Sequence, residues 1–331
     1  MGANLVVERK RDWLSMLNNL FRKIFQRRES FIFILIIAMM IFLSYKSPAF
    51  LSYKNFMALV SNEAIKGFVL TGVLLLLITR DFDLSIGSGM ALVGVVMAQI
   101  IHQTGNLGLG LLCGLLVGLM VGFINGVLVT KLKLASFIAT LGSMYMARSL
   151  CNIISVGKGV PVENQAIITF LNSYFLGFPV AFLVMLFFGI IMSVLLGRSK
   201  HFRRLYYTGV NEKGAMMVGI STSKLRLLMF SFSGLMMAVA GIAYTGMLRS
   251  AVPTAFTGLE MKLIAMAVIG GSSLKGGQGS VLGALLGLIL VTLIGNAMTI
   301  IGISPQWEGA ILGTILIAAA ILDIFVQKKV E

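Results

Sequence analysis

Long uncharged runs broken by short polar stretches dominate this chain, and they predict ten membrane-crossing helices. Their approximate bounds are residues 31–50, 57–79, 84–101, a stretch within 105–130, 134–154, 180–197, 227–248, 261–274, 281–301 and 307–322. Crossing a hydrocarbon core of about 30 Å takes about 20 predominantly apolar residues. Eight of the ten come near that length, and the tenth is somewhat shorter. The eighth has only 12 uncharged residues, Leu263 to Leu274, so it is expected to be tilted, broken or shielded by protein.

The polar stretch from Arg198 to Arg226 stands out against this background. It holds seven basic residues and one acid, Glu212. A basic stretch between two spans belongs on the cytoplasmic side, and this one is too long for a simple turn. Asn211 can cap a short helix, Glu212 suits its first turn, and Gly219 can end it. Ser221, Thr222 or Ser223 can cap the next span. Two readings follow from the residues alone: an ordinary positive-inside loop, or a surface helix that meets a cytoplasmic partner. Residues 1–30 carry seven further bases, with Trp13, Leu14, Leu17, Leu20, Phe21, Ile24 and Phe25 at helical spacing. That pattern fits either an interfacial helix on anionic membrane lipid or a plain charged tail. The expected organisation is an N-terminal segment 1–30, a transmembrane domain 31–323 containing the loop 198–226, and a tail 324–331.

Composition agrees. The chain is 58% hydrophobic and 12% charged, with mean hydropathy +0.96, where a soluble domain carries about 25% charged residues. A net charge of +15 invites nucleic acid as a partner, but 20 of the 27 Lys and Arg fall on one side of a ten-span topology. That is an orientation signal rather than a DNA-binding stripe, so no nucleic acid is expected. It places both termini and the basic loop in the cytoplasm. Cys113 and Cys151 lie in apolar runs and read as buried small residues, not as a disulfide or metal site.

Within the spans, Gly110, Gly114, Gly118, Gly122 and Gly126 recur every four residues, a spacing that lets helix backbones approach closely. The run from Gly114 resembles the run from Gly283, nearly aligning Gly118 with Gly287 and Asn125 with Asn296. The two spans run oppositely, as in inverted repeats. The fold class is therefore an all-α polytopic membrane protein, with about ten helices and inverted repeats. Polar residues at span depth are Asn125, Thr140, Asn296 and Thr299, with Phe137 near Thr140. They serve either as substrate contacts or as hydrogen-bonded glue between helices. Glu63 and Lys66, at i and i+3, can pair. Asp83 and Ser85 are expected to cap the third span, with a pathway role compatible.

Three segments, Asp83–Ser88, Gly209–Ile220 and Gly270–Ser280, occur in an order and spacing that resembles the permease subunit of bacterial ABC sugar importers of the ribose, galactose and xylose type. The resemblance covers about residues 30–323. It implies a multi-pass protein of the bacterial cytoplasmic membrane that forms a homodimer or heterodimer with a second permease copy or paralogue. It also implies a cytoplasmic ABC ATPase and an extracytoplasmic substrate-binding protein as partners. The helix near Asn211–Gly219 then corresponds to the coupling helix, with Asn211, Glu212, Lys213, Met216 and Gly219 as its contact residues. Asp83, Ser85, Asn125, Phe137, Thr140 and Asn296 are the translocation-path candidates. The family often has Ala-Ala after the Glu, where this chain has Lys213-Gly214; glycine costs a helix interior about 1 kcal/mol, so this helix is expected to be short or soft. No cofactor is expected on the chain itself. It has no GxxxxGK[ST] phosphate cradle, so ATP would be used by the partner.

Two other classes compete. A secondary active transporter would also show inverted repeats, but it needs an ionisable site at mid-membrane, and Asp81, Asp83, Glu260, Glu308 and Asp323 sit near span ends. An intramembrane serine enzyme could use Gly87-Ser88-Gly89, but His102 and His201 are not placed to serve as its base. The residues do not name a solute.

Overall fold

A computed structural model describes residues 28–304 and 306–327. The expectation for the N-terminal segment falls almost entirely outside the described residues. Helices form nearly where the uncharged runs predict: α1 (Arg28–Lys46), α2 (Tyr53–Ile78), α3 (Ile86–Thr104), α4 (Leu107–Thr130), α5 (Ser136–Ser155) and, after a short α6 (Gln165–Leu171), α7 (Val180–Arg198). Next come α8 (Lys200–Val210), α9 (Glu212–Met217), α10 (Thr222–Leu248), α11 (Leu259–Ile269), α12 (Val281–Ile301) and α13 (Trp307–Gln327). Eight of these are long and apolar enough to cross a membrane, and the apolar run Trp307–Ala318 lies in α13. The protein is an all-α polytopic membrane protein. α13 continues past Asp323, so the last span and the expected tail share one helix.

Burial sorts the helices into an inner and an outer set. α2 and α3 are the axis: 78% and 72% of their apolar windows lie inside the protein, against 17% for α1 and 22% each for α4 and α7. Every residue of α2 from Gly67 to Ile78 is buried. The outer helices keep large apolar side chains exposed, such as Phe33 and Ile41 on α1 and Phe187 and Ile190 on α7. In water this pattern would be unstable, but facing lipid it is the expected one, because lipid tails are as apolar as the side chains.

The short eighth span is resolved by shielding. α11 has 11 residues, which reach about 16 Å, and Leu263 to Val268 are all buried. Protein, not lipid, surrounds it. Its connection to α12 is a tight turn at Gly270 and Gly271. A Cβ on Gly270 would lie 2.5 Å from the Gly283 carbonyl carbon and 2.7 Å from Ala284 N.

The glycine stripe on α4 packs as its spacing predicts. The buried residues of α4 are Gly110, Gly114, Gly118, Gly122, Asn125, Gly126 and Val129. Gly122 meets Gly234 of α10 backbone to backbone: a Cβ on Gly122 would lie 2.7 Å from Gly234 Cα. Small strands fasten the opposite end of the bundle, where β1 (Val160–Pro161) pairs antiparallel with β4 (Ser250–Ala251). A two-residue hairpin, β2 (Tyr174–Phe175) with β3 (Phe178–Pro179), leads into α7.

Candidate functional site

Two of the three segments singled out in the sequence, Gly209–Ile220 and Gly270–Ser280, meet at the end of α2, just ahead of the third. Gly277 N donates to Ile78 O at the end of α2 (2.9 Å). Tyr206 on α8 donates its hydroxyl to Gly279 O (2.8 Å). Gly209 is wedged between Ile78 O and Gly277 N, so closely that no side chain fits there. The turn after α2, the glycine turn before α12 and the α8–α9 corner therefore form one assembly.

Sequence reading placed a single short helix in the basic stretch, and the protein has two. The predicted one is α9: Asn211 Oδ1 caps it by accepting from Gly214 N (3.0 Å), and Gly219 follows with φ +83°. Gly214 thus lies in the first turn, and α9 spans six residues. The additional helix, α8, buries Leu205, Thr208 and Gly209 and sets α9 against the bundle. On α9, Ala215 is buried. Asn211, Glu212, Lys213, Met216, Met217 and Val218 are exposed, Met217 at 88%. Ser221 stands at the N-cap of α10, but its side chain makes no capping bond.

The path candidates divide into three groups. Asp83, Ser85 and Asn125 come together in one buried chain of hydrogen bonds that crosses three elements. Ser143 on α5 donates to Asn125 Oδ1 (2.5 Å). Asn125 Nδ2 donates to Ser85 Oγ (2.8 Å), and Ser85 donates to Asp83 Oδ1 (2.6 Å). Asp83 Oδ1 also accepts from Ser85 N (2.9 Å). This corrects the expected caps: Ser85 occupies the N-cap position of α3 without a capping bond, because its hydroxyl is committed to Asn125 and Asp83. Thr140 lies beside the same turn. It donates to Ser136 O (2.7 Å) and reaches Phe82 O (3.4 Å). Phe137 projects outward, half exposed. Asn296 is elsewhere, exchanging amide bonds with Asn55 on α2. The two asparagines aligned in sequence thus have unlike partners. Glu63 and Lys66 pair as predicted, 2.5 Å apart.

Asp83 is wholly buried and its Oδ2 has no partner. Burial pushes its carboxyl up to about 6. Protonation is then favoured in the folded state between about pH 4 and 6, so the folded state holds the extra proton there and stability falls as pH rises through that window. The loss is complete above pH 6 and amounts to about 3 kcal/mol at 1.4 kcal/mol per unit. Thermal melts of the purified protein are expected to drop between about pH 4 and 6 and to level off above that, with the slope removed in Asp83→Asn. A melt of wild type flat across that range would contradict this.

Sequence reasoning left three participants without a role. Arg226 makes a double hydrogen bond to Asp81, Nε to Oδ2 (2.7 Å) and Nη2 to Oδ1 (2.5 Å), and Asp81 is fully buried. The third is Arg148 inside α5, which donates from Nη1 to the Pro253 and Ala255 carbonyls. Its charge within a predicted span was the available signal.

Comparison with known proteins bears on most of the chain. Residues 59–320 match the family described as branched-chain amino acid transport system permease component, and the chain belongs to that family. It is 34% identical over 287 residues to the ribose import permease protein of Bacillus subtilis, covering 86% of this chain and 89% of that one. It is 35% identical over 281 residues to the L-arabinose transport system permease protein of Escherichia coli (85% and 86%). With the autoinducer 2 import system permease protein of Yersinia enterocolitica it shares 32% over 307 residues (92% and 84%). No solved structure matches.

Proposed function

We propose that this chain is the permease subunit of an ATP-driven importer in the bacterial cytoplasmic membrane, with its basic end in the cytoplasm. The solute is a monosaccharide or related small polar molecule handed over by an extracytoplasmic binding protein. The chain works beside a second copy or a paralogue and leaves ATP hydrolysis to a separate ATPase. The observation that carries this reading is α9. It is a capped helix outside the spans, anchored by buried Ala215, that presents Met216, Met217 and Val218 to solvent. Exposed apolar side chains amid polar ones mark a protein contact. Beside it, a groove of about 430 Å³ between α8 and α10 is lined by Phe202, Leu225 and Met229 together with Arg204 and Lys224. Such a surface suits a partner that offers an apolar side chain flanked by acids. The relatives named for ribose and L-arabinose support a sugar, while the family description and the autoinducer 2 permease keep the class broad.

Copurification tests the reading. The tagged permease is expected to capture an ATPase from its native membranes, and Met217→Asp is expected to abolish that capture while the protein still inserts. Capture that survives Met217→Asp would refute the role of α9. Orientation is tested separately, on a background lacking Cys113 and Cys151, with single cysteines at exposed Lys158 and Tyr207. Impermeant reagent added outside intact cells is expected to label position 158 only; labelling at 207 alone would invert the topology.

A further inference from the structure

One side chain joins α9 to the turn between α2 and α3. Arg226, in the first turns of α10, holds Asp81 with two charge-assisted bonds on one side. With Nη1 it reaches Glu212 Oε1 of α9 (3.4 Å) on the other. The two arms differ. Asp81 is buried, just past the C-terminal end of α2, where the helix dipole disfavours an acid, and its charge is balanced by the guanidinium fork. Glu212 is 44% exposed and its bond is long, so it is the arm that a partner docking on α9 can change. From Asp81 the chain passes through Phe82 to Asp83. Phe82 N is itself bonded to Ser136 Oγ of α5 (3.2 Å), and Asp83 begins the hydrogen-bond chain to α4 and α5.

We infer that Arg226 is the positioning residue through which α9 moves the Asp81–Ser85 turn, and with it the Asn125 and Ser143 contacts of α4 and α5. The inference rests on the reading of α9 as the ATPase contact. Only an arginine supplies two parallel bonds to one carboxylate and a third bond to another; lysine is a point charge. A merely structural ion pair would fix the end of α2 against α10 and would not respond to nucleotide on the partner.

The test uses the permease–ATPase complex, with Cys113 and Cys151 replaced by alanine and a single cysteine at half-buried Phe82. Its maleimide reaction rate is measured with and without a non-hydrolysable ATP analogue. The analogue is expected to change the rate about five-fold or more, the lower end of common coupling strengths. Arg226→Lys is expected to cut the response to less than about two-fold while ATPase capture persists, and Glu212→Gln is expected to cut it as far in the captured complex. Glu212→Gln leaves the buried pair untouched and so decides the matter if Arg226→Lys does not accumulate. A response that survives Glu212→Gln, or no response in the parent complex, overturns the inference. Capture that is lost in Glu212→Gln would reduce the arm to part of the docking surface and also overturn it. The α9 reading fails on a different result, namely capture insensitive to Met217→Asp.

Discussion

Gly122→Leu is expected to leave almost no folded protein in the membrane. The reason is the character of the obstacle. At Gly122 the neighbours are backbone atoms of α10: the carbonyl of Phe230 and the Cα and N of Gly234, the last two at 2.7 and 2.9 Å from a Cβ. A Cβ on Gly234 would in return lie 2.8 Å from Gly122 Cα. A flexible side chain could swing aside, but two helix backbones can only separate, and separation opens the whole α4–α10 seam, including Gly118 against Ala238. Overpacking commonly costs about 1–3 kcal/mol, and a backbone obstacle puts this site at or beyond the upper end. Gly142→Leu on α5 is the control, since nothing lies within 4 Å of a Cβ there. Detergent-extracted protein run by size exclusion reads both variants. A Gly122→Leu protein as abundant and monodisperse as Gly142→Leu would show that the seam is not tight.

How far the sequence revealed this arrangement depended on where the information lay. The spans were legible because each is written as a predominantly apolar run, and the α4 stripe because its period of four is local. The α9 cap was legible for the same reason: Asn211, Glu212 and Gly219 sit within one short segment. α8 was not seen. Its apolar positions, Phe202, Leu205 and Tyr206, do follow helical spacing, but Lys200, Arg203 and Arg204 fill the gaps and made the segment read as a charged loop. Asp81 and Arg226 were each noted, one as an acid at a span end and one as a base in the loop. Their pairing spans 145 residues, and with 27 Lys and Arg in the chain nothing local says which base an acid will meet. Asn125 shows the same limit in another form: its depth in a span was legible, but the direction it faces was not.

That direction governs the final prediction, that Asn125→Asp damages the protein more than Asn125→Leu. The buried chain has a fixed sense. Asp83 Oδ1 only accepts when ionised, so the Ser85 hydroxyl must donate to it, and the hydroxyl oxygen must then take its own bond from a donor. Asn125 supplies that donor through Nδ2 and accepts from Ser143 through Oδ1. An amide can do both at once, which a carboxylate cannot. Leucine, nearly the same size, leaves Ser143 without its partner and removes one bond from Ser85, a loss of about 1–3 kcal/mol for buried polar groups. Aspartate keeps the shape but sets two carboxylates against a single hydroxyl proton in a site with no exposed surface at Asn125 or Ser85. An uncompensated buried charge costs more than a missing bond. Thermal stability is therefore expected to fall in the order wild type, Asn125→Leu, Asn125→Asp. Asn296→Leu should lie nearest wild type, because its partner Asn55 is only partly buried and can turn to water. If Asn125→Asp melted above Asn125→Leu at pH 7.5, the chain would not run from Ser143 to Asp83 as described.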